Sequence, residues 1–192
     1  MIRLGFLLAV ARSPESTGNY GEMIVSSLFQ TKRFKKPNYY LVNNLYFEYK
    51  NTTYQIDHVV ICHQGIFCIE TKHIKGRIVG YTNKSDWVVY NGNRKFNLYN
   101  PVYQNHSHIE ALDNFLEHKY DIHSIVVFTN NNKPVVDDAS VVNFTELADY
   151  ILAQPNDELF VDGLIKGIYD LLAEYKKNCK ITKSKHLENI KK

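Results

Sequence analysis

Residues 54–72 constrain this chain more than any other stretch. Two apolar runs rich in Val and Ile, Tyr54–Cys62 and Ile66–Lys72, flank His63, Gln64 and Gly65. A two-residue turn at Gln64-Gly65, with the glycine supplying a positive φ, would fold the runs into an antiparallel hairpin. Opposed positions then sum to 129, which sets Asp57 against Lys72 and Val59 against Glu70, and opposed residues share a face. One face carries Gln55, Asp57, Val59, Ile61, Ile66, Cys68, Glu70 and Lys72; the other carries Ile56, His58, Val60, Cys62, Phe67, Ile69 and Thr71. Both are rich in apolar side chains, as in central strands covered on both sides. Moving the turn by one residue without a compensating bulge is expected to take Asp57 off the Glu70 face.

Two carboxylates and an ammonium within such strands are costly, at several kcal/mol of desolvation per charge. One acid and one base would make a structural ion pair, but here a second acid shares the face. Neighbouring carboxylates repel unless a cation lies between them. A hard divalent ion suits that need: Mg²⁺ takes one or two carboxylates, keeps several waters and accepts further oxygens from a phosphate. Lys72, on the same face, can orient water or neutralise developing phosphate charge. The competing reading is a solvated polar patch at the strand ends with a simple Asp57–Lys72 cross-strand pair.

The surrounding pattern predicts a loop over 12–19 and a helix from Gly21 to about Thr31 with Met23, Ile24, Leu28 and Phe29 inward. A strand is expected at Tyr39–Phe47 beside the two already named, and Arg77–Tyr81 and Trp87–Tyr90 are expected to extend the same sheet. Asn100 as cap and Pro101 at the first position start a helix running to about His118. Ile122–Phe128 and Val141–Phe144 read as strands, Thr145 as the cap of a helix to Ala153, and Asp157–Asn178 as a last helix. The order implies the α/β class, a mixed sheet covered by helices. One domain over 1–178 is expected, its C-terminal part, 145–178, helical, with a basic tail over 179–192.

Charge is unevenly placed. The net +3 resolves into +4 over residues 1–36, +6 over 176–192 and −7 over the stretch between. Basic ends can attract a polyanion or keep a protein dissolved; for the Lys-rich terminus the plainer reading is a frayed, solvated tail. The cluster Lys32, Arg33, Lys35 and Lys36 reads first as a solvated turn, and second as a contact to phosphate backbone without sequence readout. Three cysteines, Cys62, Cys68 and Cys179, have no paired spacing, which argues against a disulfide framework or thiolate zinc site and for a reducing, cytoplasmic setting. The apolar run Gly5–Ala11 is far below the roughly 20 residues of a membrane span, so no membrane association is expected. His106 and His108 do not share a helical face, and the histidines are read as structural or solvent-facing, with His108 one turn from Gln104. Trp87 is assigned to the core or a sheet edge. No Walker-type loop or nucleophile elbow is present, which leaves NTPase and serine-hydrolase chemistry without residues.

Asp57 followed by Glu70-Thr71-Lys72 resembles the split acidic-E-x-K signature of PD-(D/E)XK nucleases. More narrowly, Gly21-Glu22, QIDH at 55–58, GIFCIETK at 65–72, Gly76, Trp87 and NPVYQN at 100–105 resemble the nuclease-related domain (NERD) family, over roughly residues 17–130. Ile56 stands where the superfamily name has its Pro. The resemblance implies a restriction-endonuclease-like core and metal-dependent hydrolysis of phosphodiester bonds in DNA, with RNA left open. It also implies that Asp57 and Glu70, with the backbone carbonyl of Thr71, bind Mg²⁺ or Mn²⁺, that Lys72 positions the attacking water, that Glu22 adds a carboxylate and that Gln104 stands near the site. The alternative is a catalytically silent nucleic-acid-binding or protein-interaction module on the same fold.

Overall fold

The computed structural model describes residues 14–34, 38–130 and 134–181. The expectations for Gly5–Ala11, for Lys35 and Lys36, and for the tail beyond residue 181 lie outside the described residues. The chain runs through α1 (Pro14–Leu28), β1 (Tyr40–Tyr49), β2 (Thr52–Cys62), β3 (Gly65–Lys72), β4 (Arg77–Val79), β5 (Asp86–Asn91) and β6 (Arg94–Tyr99). It continues through α2 (Pro101–Phe115), β7 (Ile122–Phe128), β8 (Val141–Asn143), α3 (Phe144–Leu152) and α4 (Asp162–Asn178). A five-stranded sheet has the order β1-β2-β3-β7-β8, and β4-β5-β6, instead of extending it as expected, form a second sheet of three strands. In the larger sheet β1, β2 and β3 are antiparallel, while β3–β7 and β7–β8 are parallel. This is the mixed α/β architecture expected, with α3 and α4 as the additional C-terminal helices.

Three apolar clusters hold it. On one face of the large sheet, Ala111 and Leu112 of α2 and Ile165, Ile168 and Leu172 of α4 bury Val59, Ile61, Ile66 and Cys68. On the other, Val25 of α1 and Leu147, Ala148 and Ile151 of α3 bury Val60, Cys62, Phe67 and Ile69. Each such side chain contributes about 1.5–3 kcal/mol when fully buried, enough to override local preferences. The small sheet places Ile78, Trp87 and Val89 against Val126 and Phe128 of β7. Gly80 lets the indole lie there, since a Cβ at that position would stand 2.3 Å from the ring.

The hairpin register differs from expectation. Cys62 faces Gly65 and His58 faces Ile69, so opposed positions sum to 127, Val59 meets Cys68 rather than Glu70, and the turn residues are His63 and Gln64. Gly65, at φ 114°, still supplies the left-handed backbone, but as the residue after the turn. Sliding a two-residue turn by one position moves every partner by two. The faces therefore keep their members along β3, and the expected loss of Asp57 from the Glu70 side does not follow; only a change in loop length would do that. A different irregularity does act on β2. Asn44, opposite Asp57, has φ 52°, and the β1–β2 ladder omits that pair. Beyond it the faces exchange, so Ile56, expected beside His58, joins Val59 in the cluster under α2 and α4.

Other boundaries differ for local reasons. Pro14 opens α1 instead of sitting in a loop, because its fixed φ suits a first helical turn that needs no amide donor. Met23 is 51% exposed, and Val25 takes the inward place. Asn143, not Thr145, caps α3, its side chain accepting from Thr145 N–H while Glu146 returns a bond to the Asn143 amide. Residues 157–161 form a turn around Asp157, whose carboxylate accepts from Leu159 N–H and whose carbonyl accepts from Phe160 N–H, so α4 starts at Asp162. Strand β6 was not expected. Five of its six residues are exposed, so it lacks the alternation that marks a half-buried strand.

Candidate active site

Glu70 and Lys72 are two residues apart on β3 and so leave the sheet on one side, toward α2. The β2–β3 ladder stops at His58–Ile69. Just beyond, Asp57 Oδ2 accepts from Thr71 N–H at 2.9 Å, a side chain taking the place of the next ladder bond. Placement at the carboxyl end of β3, where its neighbours change from antiparallel β2 to parallel β7, follows the general siting of ligand clefts in open α/β sheets.

Helix α2 is delivered to this point by two asparagines. Asn100 caps it, accepting from Val102 N–H at 2.9 Å and donating to Lys84 C=O at 2.7 Å. Asn105, fully buried, donates to Cys68 C=O at 3.0 Å, Ser124 Oγ at 2.8 Å and Ile125 C=O at 3.3 Å, and accepts from Cys68 Sγ. With α2 fixed to β3 and β7, Gln104 Oε1 accepts from Lys72 Nζ at 2.8 Å, while the same ammonium donates to Glu70 Oε1 at 2.6 Å. His108, one turn on, is buried with Nδ1 3.3 Å from Glu70 Oε2, in a geometry that makes no hydrogen bond; neither atom has a hydrogen-bond partner. His106, by contrast, is exposed beside Glu110. The simple Asp57–Lys72 pair is not formed: Lys72 is held by Glu70 and Gln104.

Glu22 comes from α1. Its neighbour Gly21 lies where a Cβ would stand 2.8 Å from the His73 Cβ and 3.3 Å from the Thr71 methyl, so glycine lets α1 close on the end of β3. Glu22 is half-buried there, and its charge reaches both Asp57 and the Tyr46 phenol. Tyr46, unforeseen from sequence, donates to Gln55 Oε1 at 3.2 Å. Its phenol is pushed up by burial and by the Glu22 and Asp57 charges. Asn105 was given no role from sequence; the signal that could have found it is its helical spacing with Pro101, His108 and Leu112, all of which are buried on α2.

The two acids respond in opposite directions. Burial, then the Glu70 and Glu22 charges, push the Asp57 carboxyl well above its ordinary value, against the Thr71 N–H and the Lys72 charge. Burial also penalises Glu70 in its charged form, but Lys72 and His108 outweigh it and hold its carboxyl below the usual range. Crowded carboxylates of this kind are relieved by a cation, and Glu70 Oε2, buried without a hydrogen-bond partner, is an oxygen available for one. Two carboxylates fit the hard-oxygen demand of Mg²⁺ or Mn²⁺. Among the described residues, however, no group of three or more His, Cys, Asp and Glu side chains is arranged to hold a metal, so further oxygens would come from backbone or substrate. Thr71 meets Asp57 through its amide, and its buried Oγ1 has no hydrogen-bond partner.

Asp57→Asn is expected to stabilise the protein in EDTA at neutral pH by about 1 kcal/mol, or about 2–4 °C in Tm, since the amide oxygen still accepts from Thr71 N–H. The sign follows from linkage. A carboxyl whose folded pKa is raised destabilises the fold above that pKa, and the penalty disappears as pH falls through it toward the unfolded value. The gain should therefore shrink on acidification; equal Tm values for the two proteins at neutral pH would refute this.

Among the described residues no helix is long and apolar enough to cross a membrane. Comparison with known proteins adds a family pattern and a relative. The sequence pattern of the nuclease-related domain matches residues 17–129. An uncharacterized protein of Bacillus anthracis is 33% identical over 117 residues, which cover 60% of this chain and 54% of the relative. The chain thus spans about half the length of the curated relative it matches. No solved structure matches significantly.

Proposed function

Starting from a chain that belongs to the nuclease-related domain family, we propose that it is a metal-dependent nuclease that hydrolyses phosphodiester bonds of DNA. The observation that carries this is the Lys72 ammonium seated between Glu70 and Gln104, with the Asp57 carboxylate buried at the adjoining strand end. Asp57 and Glu70, with the Thr71 carbonyl, would hold Mg²⁺ or Mn²⁺, which when bound supplies Lewis-acid stabilisation of phosphate charge and a more acidic water. Lys72 is restrained to within a short radius by its two acceptors, so its charge is preorganised for a phosphate oxygen or the incoming water. Gln104 holds Lys72, His108 backs Glu70, and Glu22 adds negative charge beside Asp57.

A second reading, a silent binding or interaction module on the same fold, draws on the small donor set and on the bond that occupies Asp57 Oδ2. Incubation of the purified protein with linear, circular and single-stranded DNA, with Mn²⁺ or with EDTA, separates the two. Cleavage with Mn²⁺ and none in EDTA is expected; cleavage indifferent to EDTA, or none on any DNA, would overturn the nuclease reading. An RNA arm in the same assay tests the sugar preference.

A further inference from the structure

Segment 73–99, which contains the whole three-stranded sheet, holds five cations (Lys75, Arg77, Lys84, Arg94 and Lys95) against the single acid Asp86. The remainder of 37–175 holds five cations against sixteen acids. Positive charge in the body is therefore concentrated in this segment, with Arg77, Arg94 and Lys95 on the strands themselves. Its inner face packs into the core through Ile78, Trp87 and Val89. Register defines the outer face: Arg77 opposes Tyr90, Tyr90 opposes Lys95, and Asp86 opposes Tyr99. Tyr90 and Tyr99 are 43% and 53% exposed, and Arg77 and Lys95 are exposed beside them. The Lys95 ammonium stands 5.9 Å from the Tyr90 ring centroid. The two tyrosines share a face, offset along the strand direction by the four residues from Lys95, opposite Tyr90, to Tyr99, or about 13 Å at roughly 3.3 Å per residue.

Aromatic faces on an open sheet flanked by cations are what an unpaired nucleic-acid strand uses, bases stacking on rings and phosphates meeting Arg and Lys. The sheet is also tied to the candidate site at both ends. Arg77 follows Lys72 by five residues, and β6 runs directly into the Asn100 cap and Gln104. Gly76, at φ 119°, lies so close to β5 that a Cβ would stand 2.4 Å from the Tyr90 carbonyl oxygen, which fixes the link between them.

We propose that the outer face of β4–β5–β6 is a binding platform for single-stranded nucleic acid, with Tyr90 and Tyr99 stacking on bases and Arg77 and Lys95 neutralising phosphates. The class of ligand rests on the nuclease reading above; the platform itself is a separate surface. Its occupant is an unpaired strand rather than a duplex, because the exposed rings offer stacking faces that only unpaired bases can cover.

The test is fluorescence anisotropy in EDTA with a labelled oligothymidine, a duplex of equal length and labelled polyglutamate as a plain polyanion. The wild-type protein should bind the oligothymidine more tightly than either control. Tyr90→Ala with Tyr99→Ala should weaken that binding about tenfold or more with its salt dependence unchanged, and Arg77→Gln with Lys95→Gln should make the salt dependence shallower by about 1.4 in log–log slope. All four side chains face solvent, so Tm should hold; should the double tyrosine variant lose its fold, Tyr99→Ala alone on the edge strand decides the same question. Absence of oligothymidine binding, preference for the duplex or polyglutamate, or unchanged binding by the tyrosine variant would each overturn the platform. Binding that depends on the tyrosines in a protein that cleaves nothing would sustain the platform and sink the nuclease reading, and cleavage with tyrosine-independent binding would do the reverse.

Discussion

Glu70→Gln is expected to lower DNA hydrolysis by two to three orders of magnitude, the loss typical of one preorganised electrostatic group, while Tm stays near the wild-type value. The amide oxygen can still accept from Lys72 Nζ, now 2.6 Å from Oε1, and the Lys72 ammonium, 16% exposed, keeps Gln104 as acceptor and the Asp57 charge within reach. Lys72→Ala should abolish cleavage equally but at a cost to the fold. It leaves the Glu70 carboxylate, 4% exposed, without its ammonium, and breaking a buried pair from one side costs about 3–5 kcal/mol. Asp57→Ala should also abolish cleavage. The three variants therefore separate chemistry from scaffold when rates are read beside melting curves. Rates within a few-fold of wild type in all three would end the proposed mechanism, whatever their stability.

The second large effect concerns His58, which is fully buried with Nδ1 2.8 Å from Asn43 Oδ1 and Nε2 without a hydrogen-bond partner. Burial, opposed only in part by the Glu70 charge, lowers its pKa from 6.5 to about 4. Below pH 6.5 the unfolded chain takes up a proton that the folded chain refuses until about pH 4. The unfolded state thus binds more protons across that window, and stability falls as pH falls. The loss should reach about 3 kcal/mol by pH 4, at 1.36 kcal/mol per unit. Urea unfolding of wild type and His58→Gln at pH 7 and pH 4.5 checks this: the variant, whatever its stability at pH 7, should lose less on acidification. Equal losses in the two proteins would refute it.

Much of the fold was legible because burial and local preference agree in the central strands. Ile122–Phe128 is rich in β-branched residues, and it is β7 without adjustment. Asn100-Pro101 opens α2 as expected, since cap and imino acid point the same way. The side on which Glu70 and Lys72 emerge was legible from β3 alone. What was not legible depends on contacts from distant residues. The positive φ at Asn44 that turns Ile56 to the other face leaves no periodic mark, and the turn at His63-Gln64 was hidden behind the stronger glycine signal one residue later. Likewise His108 meets Glu70 only because Asn105 fixes how α2 lies on the sheet. Gln104 was placed near the site through the family resemblance, but its hold on Lys72 is a tertiary fact.

Asn105 has one more consequence. By tying α2 to Cys68 on β3 and to Ser124 and Ile125 on β7, it seats the helix that follows segment 73–99 on the strand that precedes that segment. The segment is thus a detour that leaves β3 and comes back to it, its sheet keyed into β7 by Ile78, Trp87 and Val89 and its β4–β5 loop holding the Asn100 cap. The open β5–β6 turn at Gly92, where an added Cβ would meet nothing, is the part that can change its chemistry while the reacting groups on either side stay in alignment.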